Sequence, residues 1–287
     1  MGEGKENKTR PQPHLQIQER GEIYFFYRPK VGKEEAHSDD DVQRLYIIMR
    51  PESGERAIEE KQHHGHDDDD DANKGCGGHG SQKVNIEEES LFRLIVMGRK
   101  RLPDPAQKST PYWGFVEMVT TKEYETSTRG QRHTSDARAV GEGIYRIVRH
   151  EREGKTKQHT HLIYKLEFPS GESEKREPQE SLNIKPEGSF IIQIKNPEKG
   201  SEGLQKKRKA VFPAHLQGKL GHLKFAPPDP PDFLNYEGCE LLFISASDHI
   251  EHDLGLELLT DPSCSHLLNT FGDSLGSTTP LLKGTWA

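Results

Sequence analysis

Arginine and histidine side chains that could receive an anion gather near the middle of this 287-residue sequence. Arginine presents forked donors that match a carboxylate or a phosphate, and histidine exchanges a proton near neutral pH. The rigid segment DPPDF adds a carboxylate. We therefore predict a pocket for a small anionic ligand, with exposed loop charges as the alternative interpretation. Its candidate residues are Arg129, His133, Arg138, Arg149, His159 and Asp232.

Motifs of common catalytic sites give no support for an enzyme. The sequence contains no HExxH zinc motif and no Walker phosphate loop. This favours a non-enzymatic binding module without a cofactor, which recognises a small anionic ligand, a protein or a nucleic acid. The alternative is a metal-independent hydrolase or isomerase that uses His133, His159 or Asp232 in a pocket between two halves of the fold.

Two basic clusters could contact phosphates. GRKRLPDP and KKRK supply Arg99, Lys100, Arg101, Lys206, Lys207, Arg208 and Lys209. Each cluster follows the third strand of a predicted four-strand unit, so the two could lie on equivalent rims. KKRK also resembles a nuclear-localisation patch. Charged loops are the alternative, and the formal net charge of −7 does not favour a nucleic-acid binder, although a salt series would test that class.

A His- and Asp-rich segment could hold Zn, Ni or Cu loosely. Its imidazoles are His63, His64, His66 and His79, beside the run 67–71 of five aspartates. A defined metal site needs ligands fixed by a scaffold, and the surrounding glycines and like charges supply none. The sequence favours a disordered, solvated insert over residues 57–82.

Cysteine usage and hydropathy address the compartment. Three cysteines match no metal or redox spacing, which suits a reducing environment. The first residues are polar, and no apolar run approaches the length of a membrane span. We expect a soluble protein of the cytoplasm or nucleus with no membrane partner.

Strand-like blocks that recur in the same order predict the elements that must position these residues. Four pairs align: Tyr24 with Tyr145, Tyr46 with Tyr164, Phe92 with Phe190, and Phe115 with Phe243. We predict two tandem four-stranded units, 21–119 and 141–247, in a mainly β, pseudo-symmetric barrel or sandwich. One short helix is expected within 212–221, where Pro213 and Gly221 bracket an apolar stretch.

Alternation along the strands predicts which faces are buried. The aligned positions are assigned to the core in both units. In the first unit the opposite face is also apolar, so a cover is needed: the segment 254–259, the other half, or a protein partner, with an internal cover favoured. In the second unit the opposite face is expected to meet water, with Arg146, Lys165, Glu167, Gln193 and Lys195 upon it.

The domain prediction follows from these limits. A single duplicated β domain spans 19–259, between a disordered N-terminus over 1–18 and a disordered tail over 260–287. The blocks RGEIYFFYRPKV, YWGFVEMVTT, GEGIYRIVRH, HTHLIYKLEFP and DPPDFLNYEGCE resemble an uncharacterised protein family of plants and bacteria, over roughly residues 19–258. The resemblance implies no activity, fold or site residue, because none is established for that family. The insert and the tail depart from its pattern.

Overall fold

The computed structural model describes residues 4–10, 14–33, 35–52, 91–108, 110–120, 137–151, 158–169, 176–199, 209–260, 271 and 284–286, and the backbone of 59–61 and 82–84. The strands are β1 Lys5–Lys8, β2 His14–Pro29, β3 Val42–Pro51, β4 Glu59–Lys61, β5 Gln82–Val84, β6 Phe92–Met97, β7 Tyr112–Thr120, β8 Arg138–Glu151, β9 Gln158–Phe168, β10 Glu187–Lys195, β11 Phe225–Ala226, β12 Glu240–Ser247 and β13 Leu256–Leu259. The helices are α1 Glu177–Ser181, α2 Ala214–Leu220 and α3 Ile250–Leu254.

Eight of these strands form a closed antiparallel barrel. The order around it is β10, β12, β7, β6, β3, β2, β8 and β9, and β9 pairs back onto β10. The prediction of a mainly β fold with few helices is confirmed, and of the two architectures left open the barrel is correct. Because the barrel is closed, each of its eight strands has a neighbour on both sides. The short strand β11 lies outside this ring and pairs with one end of β10.

The barrel consists of two runs of four strands, each run consecutive in the chain among the barrel strands. The first run is β2, β3, β6 and β7, and the second is β8, β9, β10 and β12. First strand pairs with first strand, β2 with β8, and last with last, β7 with β12. We call the end where β2 begins and β8 finishes the upper rim, and the opposite end the lower rim.

Aromatic and aliphatic side chains fill the barrel. An eight-stranded barrel is just wide enough for its own side chains, so its interior is a core. Alternate residues of the first run point inward, including Phe25, Tyr27, Ile47, Met49, Ile95 and Met97. The second run supplies Tyr145, Ile147, Tyr164, Leu166, Phe190, Ile192 and Ile194 to the same cluster.

The residue-by-residue alignment of the two halves is wrong. In every aligned pair the first-half residue lies in a separate outer cluster, whereas its counterpart lies in the interior cluster. The outward residues are Tyr24, Tyr46, Phe92 and Phe115, and the inward ones are Tyr145, Tyr164, Phe190 and Phe243. When the alignment of a strand is shifted by one residue, every side chain is assigned to the opposite face of the sheet. The duplication itself stays a prediction.

A residue of the C-terminal tail covers the outer apolar face of the first run. Phe271 is buried, and its ring lies edge-on to Tyr24 at 5.0 Å and to Phe26 at 5.3 Å between centroids. Trp286, near the end of the same tail, packs instead against Tyr27 of the interior cluster, at 5.4 Å between ring centroids. The expected internal cover is therefore present, but part of it comes from the tail that was predicted to be disordered over 260–287.

The outer face of the second run does not meet water as expected. β1 pairs with β13, and together with α3 they lie over β8 and β9 on an apolar cluster that includes Ile144, Ile163 and Leu256. The charged residues predicted there are bonded instead. Arg146 is fully buried and Lys165 Nζ donates to the carbonyl of Leu258 at 2.8 Å. Segment 254–259 thus covers the second run and not the first.

The N-terminus and the insert also differ from expectation. Residues 1–18 were predicted to be disordered, yet Lys5–Lys8 form β1 and β2 begins at His14. Within the predicted insert 57–82, the backbone of Glu59–Lys61 pairs with that of Gln82–Val84. His63, His64, His66 and His79 lie outside the described residues.

The long connection between β10 and β12 closes the upper rim. Phe212, Leu216 and Leu220 join the interior cluster, together with Phe233, Leu234 and Tyr236 near the 3-10 turn Pro231–Asn235. The predicted helix is confirmed as α2, which begins after Pro213. It ends at Gly221, whose φ of 51° lies in the region that favours glycine.

Candidate functional site

A buried ionic network lies inside the barrel near the upper rim. Arg93 on β6 donates to both carboxylate oxygens of Glu19 on β2, at 2.5 and 3.0 Å. Tyr145 on β8 donates its hydroxyl proton to Glu19 at 2.7 Å, and Arg93 Nε donates to Asn235 Oδ1 at 2.7 Å. Arg93 has no exposed surface and Glu19 is 6% exposed. The network thus joins three strands to the connection between β10 and β12.

Glycine at position 21 allows this arrangement. A Cβ there would lie 2.2 Å from the carbonyl oxygen of Arg50 and 2.7 Å from the Tyr145 ring. Any larger side chain would push Tyr145 away from Glu19. Because both charges in the network have partners, the network serves as a structural tie between the barrel wall and the β10–β12 connection.

A second polar layer lies further out on the same rim. Arg149 Nη1 and Asp229 Oδ2 form an ion pair at 3.2 Å, and Gln18 Nε2 donates to Asp229 Oδ1 at 2.7 Å. Asp229 belongs to the DPPDF segment. The guanidinium of Arg149, which was predicted to receive an anionic ligand, therefore already has an anion from its own chain.

The other residues of the predicted anion pocket do not converge on Arg149. Arg138 begins β8 at the lower rim, eleven residues away, which in a strand is roughly 35 Å. His159 on β9 pairs with His150 on β8, and its side chain faces outward. Asp232 lies in the 3-10 turn over the upper rim. Arg129 and His133 lie outside the described residues.

Histidines lie on the outer face of β8 and β9. The rings of His150 and His161 are 5.5 Å apart, and His161 Nδ1 lies 3.0 Å from Ser189 Oγ. His161 faces away from the barrel interior but is buried under the outer layer. Burial, aided by His150 and His159, lowers the pKa of His161 to about 3. Its imidazole is neutral near physiological pH.

Cys239 is a buried free thiol at the start of β12. Burial raises its pKa, with a further contribution from Glu240. It is therefore a packed thiol and lacks the thiolate character of a nucleophile.

Two sequence strings have the letters of catalytic or cofactor motifs. GCGGHG at 75–80 has the letters of a dinucleotide fingerprint, and GDSLG at 272–276 has those of a nucleophile elbow. Both lie outside the described residues. Each motif works at a strand-to-helix turn of an α/β sheet. The antiparallel barrel does not offer that setting.

The described residues of the two basic clusters adjoin opposite ends of the barrel. Arg99, Lys100 and Arg101 follow β6 at the lower rim, where the Arg99 guanidinium lies 4.2 Å from the Tyr112 ring centroid. Lys209 precedes α2 at the upper rim, and Lys206, Lys207 and Arg208 lie outside the described residues.

The upper rim carries further basic residues that the motif search missed. We define the basic cap as residues 196–224, described over 196–199 and 209–224. The segment contains seven Lys or Arg residues and two Glu, a net charge of +5 in a chain of −7. Its described residues contain Lys199, Lys209, Lys219 and Lys224 against Glu198, a net charge of +3. Lys209, Lys219 and Lys224 are exposed, as are His215 and His222. The signal was available in sequence as a local charge excess broader than KKRK.

Aromatic residues border the basic cap. Phe225 on β11 lies 5.9 Å from Trp113 on β7 between ring centroids, and both are partly exposed. Lys224 Nζ lies 5.7 Å from the Phe225 centroid. Val211 and Leu223 in the cap are 69% and 57% exposed. The surface thus combines cations with apolar area.

Among the described residues, no group of three or more His, Cys, Asp or Glu is placed to hold a metal ion. In that part of the chain no helix is both long and apolar enough to cross a membrane.

The chain was compared with models of protein families, with curated proteins and with solved structures, and none of the three comparisons returned a match. The resemblance to a family of plants and bacteria therefore stays a prediction.

Proposed function

We propose that this protein is a non-enzymatic binding module that recognises an anionic partner, a nucleic acid, through the basic cap. The observation that carries the proposal is the net charge of +5 over residues 196–224 in a chain of net charge −7. Opposite charge raises both the encounter rate and the affinity for a phosphate backbone.

The geometry of the cap supports a defined interface. Leu216 and Leu220 anchor α2 in the barrel interior, so His215 and Lys219 face outward. Buried Asn196 donates its amide to the carbonyl of Leu223 at 3.1 Å and accepts from Gln217 at 3.3 Å. The cations therefore stand on a braced surface, which lowers the entropy that binding must remove.

The adjacent aromatic pair favours nucleic acid over other polyanions. Partly exposed Trp113 and Phe225 border the lysines, and bases stack on such rings without strict sequence preference. The enzyme alternative has less support, because its proposed residues His159 and Asp232 belong to different faces and Arg149 is neutralised by Asp229.

We infer a cytoplasmic or nuclear location for this protein from the basic run 206–209 and the unpaired, buried thiol of Cys239.

We also infer that the two halves of the barrel arose by duplication. The pairing of first with first and last with last strands is what two copies related by a twofold axis would give.

Binding to a fluorescent single-stranded oligonucleotide over a salt series tests the proposed function. The variant combines Lys209→Gln, Lys219→Gln and Lys224→Gln. Its matched control combines Arg99→Gln, Lys100→Gln and Arg101→Gln, an equal charge change at the lower rim. We expect the cap variant to reduce the slope of log affinity against log salt by about 2, and the control to leave it unchanged.

Two results would contradict the proposal: no binding of wild type at low salt, or equal losses in both variants. Heparin and vesicles with anionic lipids serve as further probes. Equal affinity for heparin and the oligonucleotide would retain a polyanion interface and remove nucleic acid as its partner.

A further inference from the structure

A groove with its own chemistry lies on the outer wall at the lower rim, away from the basic cap. Its volume is about 430 Å³, which falls within the range of small-molecule sites. Four segments meet there: the end of β9, the start of β10, the turn before α3, and the residue after β13. The lining residues are Lys165, Leu166, Glu167, Pro169, Lys185, Pro186, Glu187, Asp248, His249 and Thr260.

Two of the charged lining residues build the wall. Lys165 Nζ donates to the carbonyl of Leu258 at 2.8 Å, which ties β9 to β13. Glu187 Oε1 accepts from the backbone N–H of Ile250 at 3.2 Å, which fixes the start of α3. These bonds hold separate segments in place around the groove.

Two other charges remain available to a ligand. Within the described residues, the Lys185 ammonium has no hydrogen bond or ion pair. The carboxylate of Asp248 has one ionisable neighbour there, the His249 ring, at 3.9 Å. That ring is 79% exposed, and Asp248 keeps a third of its side chain exposed. One cation and one anion therefore face the groove without a strong partner.

Glu167 is a further charged lining residue, and only 6% of it is exposed. The remaining lining residues are apolar or uncharged. Leu166 and Pro169 are buried, and Pro186 and Thr260 complete the lining. A ligand of single charge would meet a like charge in this groove, whereas a molecule with both charges could pair with each. Short contacts to Lys185 and Asp248 would then orient an apolar group over the prolines and leucine.

We propose that this groove binds a free α-amino acid with an apolar side chain, its carboxylate on Lys185 and its ammonium on Asp248. The claim is independent of the basic cap, because the groove lies at the opposite rim and excludes a purely anionic ligand. It assigns the protein a second, small-molecule ligand. Recognition by two partly exposed ion pairs corresponds to weak binding, with Kd of order 1 mM or somewhat below.

Titration followed by two-dimensional NMR tests the site with three probes of equal side chain: L-leucine, N-acetyl-leucine and leucinamide. The acetyl group removes the ammonium, and the amide removes the carboxylate. We expect L-leucine to shift the backbone signals of Leu166, Lys185 and Thr260. Both blocked forms are expected to bind at least about tenfold more weakly.

Variants assign the two charges separately. Lys185→Gln should weaken the binding of L-leucine about tenfold and leave the binding of leucinamide unchanged. Asp248→Asn should likewise weaken the binding of L-leucine about tenfold and leave the binding of N-acetyl-leucine unchanged. Lys30→Gln, at an exposed lysine outside both proposed surfaces, is the matched control and should leave the affinity for L-leucine unchanged. Both groove positions are partly exposed, and retained spectral dispersion reports folding.

The proposal is overturned if all three probes bind alike, if L-leucine gives no shift at about 10 mM, or if its shifts map away from the groove. These outcomes are read on wild type, so they hold even where a variant unfolds. They leave the oligonucleotide result untouched.

Discussion

Arg93 and Glu19 illustrate how a buried ion pair is retained inside an apolar barrel. Desolvating two charges costs several kcal/mol, and their attraction offsets this only when the remaining donors and acceptors are also bonded. Tyr145 and Asn235 supply those bonds. The sequence could not reveal this, because Arg93 sits in the run FRLIV and its partner lies 74 residues earlier.

Removal of one partner should therefore be costly. We expect Arg93→Met to lower the free energy of unfolding by about 3–5 kcal/mol, because Glu19 is left charged and buried. Urea denaturation measures the change. The double variant Arg93→Met, Glu19→Leu should recover about half of the loss or more. A single variant within about 1 kcal/mol of wild type would show that the network does not stabilise the fold.

His161 should make stability depend on pH. Its folded pKa is about 3, against about 6.5 in an unfolded chain. Between these values the unfolded chain binds a proton that the folded chain does not, so stability falls as the pH decreases through that window. At pH 5 this amounts to about 2 kcal/mol relative to pH 7. We expect His161→Gln to reduce the loss of stability between pH 7 and pH 5 by that amount. Urea denaturation at the two pH values measures it.

The difference between variant and wild type isolates this residue from other titrating groups. His159→Gln provides the control, since this neighbouring histidine is partly exposed. A wild type and a His161→Gln variant with parallel pH profiles would contradict the assignment of a neutral, buried imidazole.

At the scale of elements, alternation identified the strands but not their facing. In the second run one face is clearly apolar, and its inward residues, such as Tyr145 and Tyr164, were assigned correctly. In the first run both faces are apolar, so period two gives no preference between Tyr24 and Phe25. What decides is the cover. Phe271 makes the outer face a second core, and a single tail residue carries little sequence signal.

β1 acts as a strap that keeps the outer layer of the second run in place. Glu6 accepts from Arg146 Nε at 2.8 Å and from Arg20 Nη2 at 2.6 Å. Burial works against the charge of Glu6, but the bonds from both arginines hold its pKa below the usual value. Arg146 and Lys165, which were predicted to face water, thus bond to segments that lie far away in the sequence.

Glu6→Gln should destabilise the protein by about 3 kcal/mol, because it leaves the fully buried Arg146 without a counter-charge. Arg20→Gln is the matched control, as it removes the other partner of the same carboxylate. Arg20 is 46% exposed, so this change should cost less than about 1 kcal/mol. Chemical denaturation of both variants gives the comparison. Equal costs would mean that burial of Arg146 does not govern the strap.

At the scale of the whole molecule, the two runs are not independent domains. Each is a four-stranded meander whose first and last strands have their outer partners in the other run. Sequence analysis predicted two tandem four-strand units, and the barrel contains two runs of four strands in that chain order. Their origin by duplication stays a prediction. The sequence could not show that the aligned residues point outward in the first run and inward in the second. Nor could it show that the β10–β12 connection would seal one end of the barrel with Phe212 and Leu216.

Closure predicts that the two halves fold together or not at all. A chain divided within residues 121–136 gives one fragment with β2, β3, β6 and β7 and another with β8 to β13. Each alone exposes two strand edges and half of the aromatic interior, so we expect neither to protect its amides from hydrogen exchange. Mixed, they should form a one-to-one complex with protection in all eight barrel strands. A fragment that folded alone, with protected β2 and β7, would show that closure is not what stabilises the meander.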